Sequence, residues 1–270
     1  MGLGTGPGHP QRTRVGCVEV RVPVARGTLW AEDTGGERTP VVLVHADWTH
    51  SGIWDPLIPL LRDRYRVIRY DLRGFGRSSR PVQPFTRLGD LQALLDHFGI
   101  EEAVAVGHSG GGGTALGLAL HHPDRVRGLI LIAPGIHDYP WPADDPFYRE
   151  CSPLIAMEDR DSLLRLGLRT WAPAGADHAI TAMMRRAVSS WSQTGDLERE
   201  DPPGFARLGE IRTPAVMLLG DLEYPMVSQA SSAIAAKLDD CREVLVPGAD
   251  HLLPLRDPLR LAQAIIEVAG

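Results

Sequence analysis

Residues 103–111 read Ala-Val-Ala-Val-Gly-His-Ser-Gly-Gly, and a run of small and apolar residues follows from Gly112 to Leu120. The apolar start is typical of a buried strand, and the segment after the glycines is typical of a helix. Ser109 therefore stands on a sharp turn between a strand and a helix, where the pattern Gly-x-Ser-x-Gly exposes a nucleophilic serine. Neighbours without a Cβ atom permit this turn, and the first N–H groups of the helix favour negative charge beside the serine.

Strands and helices alternate on both sides of this turn. Strands are predicted at 18–22, 27–32, 41–44, 66–70, 103–106, 128–133, 215–219 and 242–246, and further helices at 52–63, 86–98 and 258–268. This order predicts an α/β fold, in which a parallel sheet carries helices on both faces.

The alternation stops at Pro134 and resumes at Ala215. Between these residues the chain is rich in proline and then amphipathic, with helices predicted at 162–171 and 179–191. We therefore predict a core formed by 1–136 and 206–270, and a helical cap or lid formed by 137–205. We expect the lid to cover the carboxyl ends of the strands, where open α/β sheets bind ligands.

Composition excludes several classes of protein. The chain has 270 residues, of which 43% are hydrophobic and 23% charged, as in a globular protein with a sizeable core. A formal net charge of −6 without a basic stripe argues against nucleic acid as a partner. No apolar stretch is long enough for a membrane span, and residues 1–10 predict a flexible tail rather than a signal peptide. Three widely spaced cysteines favour a reducing compartment, so we expect a cytoplasmic protein, and composition does not set the oligomeric state.

A serine nucleophile needs a general base and a group that orients this base. His251 lies just past the last predicted strand and is the preferred base among ten histidines. The loop after the preceding strand offers Asp221 and Glu223, and Asp138 after an earlier strand is a third candidate. Asp221 directly follows a glycine, where an aspartate commonly serves a turn. The order serine, acid, histidine is typical of hydrolases with this serine turn.

An oxyanion site needs backbone N–H donors. The N–H of Gly110, directly after the serine, is the first candidate, and the N–H of Asp47, in the loop after the strand 41–44, is the second. The carboxylate of Asp47 would disfavour a developing anion if it faced the site. We therefore expect this side chain to be turned away or hydrogen-bonded.

Five motifs in this order resemble those of the α/β-hydrolase superfamily over nearly the whole chain. They are Val-Leu-Val-His45-Ala46, Asp71-Leu-Arg-Gly-Phe-Gly-Arg-Ser78, Gly-His-Ser109-Gly-Gly, Gly-Asp-Leu-Glu223 and Pro-Gly-Ala-Asp-His251. The resemblance implies a mostly parallel sheet of eight strands and a triad of Ser109, Glu223 and His251. Two departures are Ala46, where the family usually has glycine, and Glu223, where it usually has aspartate.

The resulting hypothesis is a serine hydrolase that cleaves a carboxylic ester or lactone of a small, largely apolar substrate through an acyl-enzyme. The serine nucleophile disfavours the dehalogenases and epoxide hydrolases of the superfamily, which resemble this chain but use aspartate. Carbon–carbon bond hydrolases and cofactor-free perhydrolases share the triad and stay open as alternatives. A ligand-binding protein without hydrolytic activity is a further alternative, because fold does not fix function.

Bulky side chains are candidates for substrate contact. They are Trp48, His108, Trp141, Trp171 and Trp191. The competing role of those in the predicted lid, shared with Met183 and Met184, is to attach the lid to the core. No nucleotide-binding loop or cluster of metal ligands occurs in the sequence, so neither a metal nor an organic cofactor is predicted.

Overall fold

A sheet of eight strands forms the centre of the computed structural model, which describes residues 16–194 and 197–270 and only the backbone of 191–194. The strands are β1 (Val18–Val24), β2 (Gly27–Asp33), β3 (Pro40–Val44), β4 (Arg66–Tyr70), β5 (Ala103–His108), β6 (Val126–Ile132), β7 (Ala215–Gly220) and β8 (Cys241–Val246). Their spatial order is β1-β2-β4-β3-β5-β6-β7-β8. β2 runs antiparallel to β1 and β4, and the other neighbouring pairs are parallel. The predicted fold class is confirmed.

The sheet is accompanied by helices, most of which cover its two faces. They are α1 (Ile58–Leu61), α2 (Arg87–His97), α3 (Gly110–His121), α4 (Pro146–Ala156), α5 (Arg160–Trp171), α6 (His178–Thr194), α7 (Pro225–Ala235), α8 (Leu253–Arg256) and α9 (Pro258–Ala269). Short 3₁₀ helices occur at Ser51–Trp54, Pro123–Arg125 and Phe205–Glu210.

The central strand β5 shows why both faces need cover. Val104 and Val106 point to one apolar cluster, to which α9 contributes Leu261, whereas Ala105 points to a second cluster, to which α2 contributes Leu91. All of these side chains are buried. Alternate residues of a strand face opposite sides, so a strand enclosed on both sides is apolar throughout.

One predicted helix was wrong. The periodicity of 52–63 predicts a single helix, but the structure has a 3₁₀ turn at Ser51–Trp54 and the separate short helix α1. Pro56 lies between them. Proline has no N–H group to donate, so the helical hydrogen bonds are interrupted here, although Asp55 before it keeps a right-handed helical backbone.

The helices α4, α5 and α6 lie between β6 and β7 in the sequence. α4 and α5 pack against the loop at the carboxyl end of β3, where Phe147 of α4 and Trp171 of α5 contact Trp48, and α6 packs against α5. Gly167 permits a close approach of α5, because a Cβ atom there would overlap the Trp48 ring. The 137–205 segment thus covers the edge of the sheet at which parallel strands end.

The two ends of the 137–205 segment are fastened to each other and to the core. The carboxylate of Asp138 accepts hydrogen bonds from the backbone N–H groups of Gly204 (3.0 Å) and Phe205 (2.9 Å). Phe85 forms a parallel bridge with Glu198, and the N–H of Leu88 donates to Asp201 at 2.9 Å.

Across the described ranges, none of the helices has the length and apolar character needed to cross a bilayer. The predicted tail, residues 1–10, lies outside the described residues.

Candidate active site

The turn at Ser109 has an unusual backbone conformation. Ser109 lies between β5 and α3 with φ 54° and ψ −121°. Its N–H donates to the carbonyl of Ile132 at 2.9 Å, and its carbonyl accepts from the N–H of Gly135 at 2.9 Å. A Cβ atom at Gly107 would lie 2.5 Å from a carbonyl oxygen of α3, so only glycine allows the strand and helix to approach this closely. Such a backbone costs about 1–3 kcal/mol and persists only where its surroundings hold it.

His251 and Glu223 form a buried pair. Nδ1 of His251 and Oε2 of Glu223 are 2.9 Å apart, and each side chain is 1% exposed. The second carboxylate oxygen of Glu223 accepts from the N–H of Tyr224 at 2.8 Å. A carboxylate at Nδ1 fixes the tautomer in which Nδ1 carries the proton, and this leaves Nε2 free to act as a base.

The other two candidate acids are engaged elsewhere. Asp221 is exposed, and its carboxylate accepts from the backbone N–H of Gly248 at 2.7 Å, a contact between two neighbouring loops. Asp138 joins the ends of the 137–205 segment, as described above. Of the three carboxylates, the structure brings Glu223 to His251.

Two rings enclose the imidazole of His251. The ring centroid of Trp171, at the end of α5, is 4.7 Å away, and that of His108 is 4.9 Å away. His108 directly precedes Ser109, so this contact places His251 beside the serine turn. His108 Nε2 lies 2.7 Å from the carbonyl oxygen of His251 and donates to it. Burial and the nearby His251 hold the pKa of His108 well below its usual value, so its ring stays neutral.

The loop that carries His251 is tied to the 137–205 segment. Asp250 is fully buried and forms an ion pair with Arg256, with 2.7 Å between Oδ2 and a guanidinium nitrogen. The same oxygen accepts from the N–H of Ala174, just past α5, at 3.0 Å. Arg256 also donates to the carbonyl of Gly175 at 2.6 Å.

His45 braces the loop after β3. Its Nε2 accepts from the N–H of Leu72 at 2.9 Å, and its Nδ1 therefore donates to the carbonyl of Ala46 at 2.8 Å. Complete burial lowers the pKa of His45 to about 4, although the nearby Asp71 carboxylate favours the protonated form. The neutral ring thus joins the loops that follow β3 and β4.

The carboxylate of Asp47 is paired rather than turned away from the cavity. It forms an ion pair with Arg87, whose Nε also contacts Oε1 of Glu198 at 2.6 Å. Burial favours a raised pKa for Asp47, but the Arg87 guanidinium outweighs it and holds this pKa below its usual value. Asp47, Arg87 and Glu198 all line the cavity described next.

Ser109 opens onto a cavity of about 520 Å³. One part of its wall is mainly apolar, with Trp48, Phe147, Tyr148, Trp171, Met226 and Val227. Another part is polar and mostly charged, with Asp47, Arg87, His137, Glu198, Arg199, Glu200 and Asp201. In the described part of the chain, no three His, Cys, Asp or Glu side chains are grouped as they would be around a metal ion.

The cavity includes some of the predicted substrate contacts and excludes others. Trp48, Trp141 and Trp171 line it. The prediction for His108 is wrong, because this ring is wholly buried beneath His251 and is not part of the cavity wall. The side chain of Trp191 lies outside the described residues. Met183 and Met184 are buried in the apolar cluster, which agrees with a role in attaching the inserted helices.

Arg87 and Glu198 are site residues that sequence reasoning missed. Arg87 is 40 residues from Asp47 and 111 residues from Glu198 along the chain. No local spacing indicates such pairs. The one feature of the sequence that indicated such a partner was Asp47, because a carboxylate beside an oxyanion site needs a cation to neutralise it.

Comparison with known proteins identifies the family of this chain. A family model described as the alpha/beta hydrolase family matches residues 41–264. A candidate carbamate hydrolase of Caulobacter sp. (strain K31) is 37% identical over 130 residues, so the match spans about half of each protein (46% of both). Haloalkane dehalogenase 2 of Mycobacterium bovis (strain ATCC BAA-935 / AF2122/97) is 26% identical over 276 residues, which cover 91% of this chain and 93% of the relative.

A solved structure of a hydrolase from Pseudomonas aeruginosa PA01 superposes with a TM-score of 0.76 at 26% identity, covering 94% of this chain and 98% of the other. The chain therefore belongs to the alpha/beta hydrolase family.

Proposed function

We propose that this hydrolase cleaves a carboxylic ester or lactone through an acyl-enzyme formed on Ser109. The observation that carries the proposal is the buried contact of 2.9 Å between His251 Nδ1 and Glu223 Oε2, beside the turn that exposes Ser109 to the cavity. A histidine held in one tautomer by a carboxylate is the arrangement that activates a serine hydroxyl.

Each proposed step follows from these positions. Nε2 of His251 takes the hydroxyl proton as the oxygen of Ser109 attacks the acyl carbon, and Glu223 stabilises the imidazolium that forms. The N–H groups of Gly110 and Asp47 bind the oxyanion of the tetrahedral intermediate. The imidazolium then protonates the leaving alkoxide as its bond to the acyl carbon breaks. A water molecule, deprotonated by His251, attacks the acyl-enzyme; the bond to the oxygen of Ser109 breaks, and His251 returns the proton to that oxygen.

The serine favours acyl chemistry over dehalogenation, although one relative bears the name of a dehalogenase. Attack by a serine oxygen on an alkyl halide would leave an ether, which water does not readily hydrolyse. Attack on an acyl carbon leaves an ester, which the same histidine can help to hydrolyse. The nucleophile at position 109 thus selects among the reactions of the relatives.

The lining of the cavity favours a substrate whose acyl or alcohol group is small and largely apolar. Its apolar wall includes Trp48, Phe147 and Trp171, and two of these side chains belong to the 137–205 segment. We infer that this segment acts as a lid that sets substrate choice and excludes water during turnover.

A screen with p-nitrophenyl esters of graded acyl length and with several lactones tests the proposal, with Ser109→Ala as the matched control. We expect turnover by the wild type and a loss of several orders of magnitude in the variant. A fluorophosphonate probe should label Ser109, as read by peptide mass spectrometry. Label on another residue, or ester turnover that survives in Ser109→Ala, would refute the proposed function.

A further inference from the structure

We propose that Arg87 is a positioning residue for the oxyanion site, because it neutralises a carboxylate that this chain places directly beside that site. The inference rests on the proposed function, since it takes the N–H groups of Gly110 and Asp47 as the oxyanion donors. It assigns to Arg87 a role in the reaction that is separate from substrate contact.

The side chains of Asp47 and Arg87 both lie against Gly110. A Cβ atom added at Gly110 would overlap Oδ2 of Asp47 and would lie 2.8 Å from Nη1 of Arg87. The ion pair between these two side chains therefore borders one proposed donor, and the backbone of Asp47 supplies the other. An oxyanion that binds between these donors forms close to the Asp47 carboxylate.

The negative charge of the Asp47 carboxylate determines how its position affects the reaction. A carboxylate beside the site repels the negative charge that develops in the transition state, and the repulsion is strong where little water reaches. The guanidinium of Arg87 offsets this repulsion and holds the carboxylate in one place. The Asp47 side chain is 29% exposed and that of Arg87 is 15% exposed, so solvent screens the pair only in part.

Glu198 also holds the guanidinium of Arg87. Its carboxylate contacts Nε of Arg87 at 2.6 Å, and its backbone bridges to Phe85, just before α2. Arg87 thus joins the loop after β3 to the returning end of the 137–205 segment.

Helix stability does not explain the arginine. Arg87 is the first residue of α2, directly after the capping residue Thr86. A cation in the first turn of a helix is disfavoured by the helix dipole. The pairing of Arg87 with two carboxylates therefore explains why a cation occupies this position.

The test compares Arg87→Met in the wild-type background and in the Asp47→Asn background, with kcat measured on p-nitrophenyl acetate. In the wild-type background we expect a loss of about 10- to 100-fold, somewhat below the cost of losing an oxyanion donor. In the Asp47→Asn background the carboxylate beside the oxyanion site is gone and only that of Glu198 remains next to Arg87, so the same substitution should cost less than about threefold. Arg87→Lys keeps the cation and should retain more activity than Arg87→Met.

Two controls separate charge from structure. Arg66→Met removes a half-buried arginine paired with Asp33, on the β2–β4 side of the sheet, and should leave kcat unchanged. Glu198→Gln loosens the attachment of the 137–205 segment but keeps Arg87 beside Asp47, so its loss should stay well below that of Arg87→Met. Thermal melts of all variants show whether a lost activity reflects unfolding.

Equal losses on Arg87→Met in both backgrounds would overturn the inference, and so would a Glu198→Gln variant as impaired as Arg87→Met. If Ser109→Ala is inactive in the same assay, such results refute the role of Arg87 alone. If Ser109→Ala stays active, the proposed function itself fails.

Discussion

The backbone of Ser109 stores strain, because its positive φ suits glycine far better than a residue with a Cβ atom. The hydrogen bonds to Ile132 and Gly135 hold this conformation against its cost. The proposed nucleophile therefore occupies a position where stability favours a different residue.

We predict that Ser109→Gly is more stable than Ser109→Ala by about 1 kcal/mol, because glycine relieves the strain and alanine does not. Urea unfolding of the two variants measures this difference, and both should lack ester turnover. An alanine variant as stable as the glycine variant would show that the turn is not strained.

At the residue scale we also predict that Glu223→Gln lowers turnover by about 10⁴-fold, by analogy with other triads that lose the orienting carboxylate. Asp221→Asn is the matched control, because Asp221 accepts a backbone hydrogen bond in a neighbouring loop and should not affect the rate. Asp138→Asn should lower stability rather than turnover. Steady-state kinetics with one ester decides among the three, and a collapse confined to either aspartate variant would rule out Glu223.

At the scale of the element, helix α5 places Trp171 against the imidazole of His251 and into the cavity wall. From this double position we expect Trp171 to affect every substrate, because it restrains the ring that we propose to transfer the proton. A contact with substrate alone would change the ranking among substrates instead.

We predict that Trp171→Leu lowers kcat/KM about tenfold or more for all esters, acetate included, since positioning of a catalytic group is sensitive to small displacements. Trp171→Phe keeps an aromatic ring and should lose less. Tyr148→Leu is the control from the same wall, away from His251, and should change only the order of preferred acyl lengths. A Trp171→Leu variant with normal acetate turnover would contradict the positioning role.

Regular patterns in the sequence predicted the elements that lie against the sheet, because burial on a strand or helix face imposes a period of its own. The helices α4 and α7 were not predicted. Each begins with a proline, Pro146 or Pro225, which serves the first turn of a helix but resembles a loop in the sequence.

Some residues of the candidate site could likewise be predicted from the sequence, and others could not. Ser109, Glu223 and His251 follow strand ends within recognisable turns, so the sequence indicates them. The pairing of Arg87 with Asp47 and Glu198 depends on how distant segments pack, and no local pattern carries that information. The Trp171 contact with His251 was missed for the same reason.

At the scale of the whole molecule, acid should destabilise the fold through buried neutral histidines. Burial lowers the pKa of His45 from its ordinary 6.5 to about 4. Between these values the unfolded chain binds a proton that the folded protein does not. The contribution of His45 to stability is therefore complete above about pH 6.5 and is lost as the pH falls toward about 4.

We predict that the difference in unfolding free energy between wild type and His45→Gln shrinks as the pH is lowered from about 6.5 to about 4, by about 1.4 kcal/mol per pH unit. The comparison removes the effects of other groups, such as Glu198 and Asp201, whose raised pKa values act in the opposite sense. Urea unfolding at several pH values gives the difference. A constant difference across this range would show that His45 does not titrate in this way.

The hydrogen bonds from Asp250 and Arg256 to Ala174 and Gly175 have a consequence for the order of events during turnover. If the 137–205 segment lifts to admit substrate, these bonds must break or the loop of His251 must follow the movement. Either event disturbs the base at the moment when bulk water has access to the serine. The open enzyme would then be inactive, and its catalytic residues would take up their positions only around an enclosed substrate.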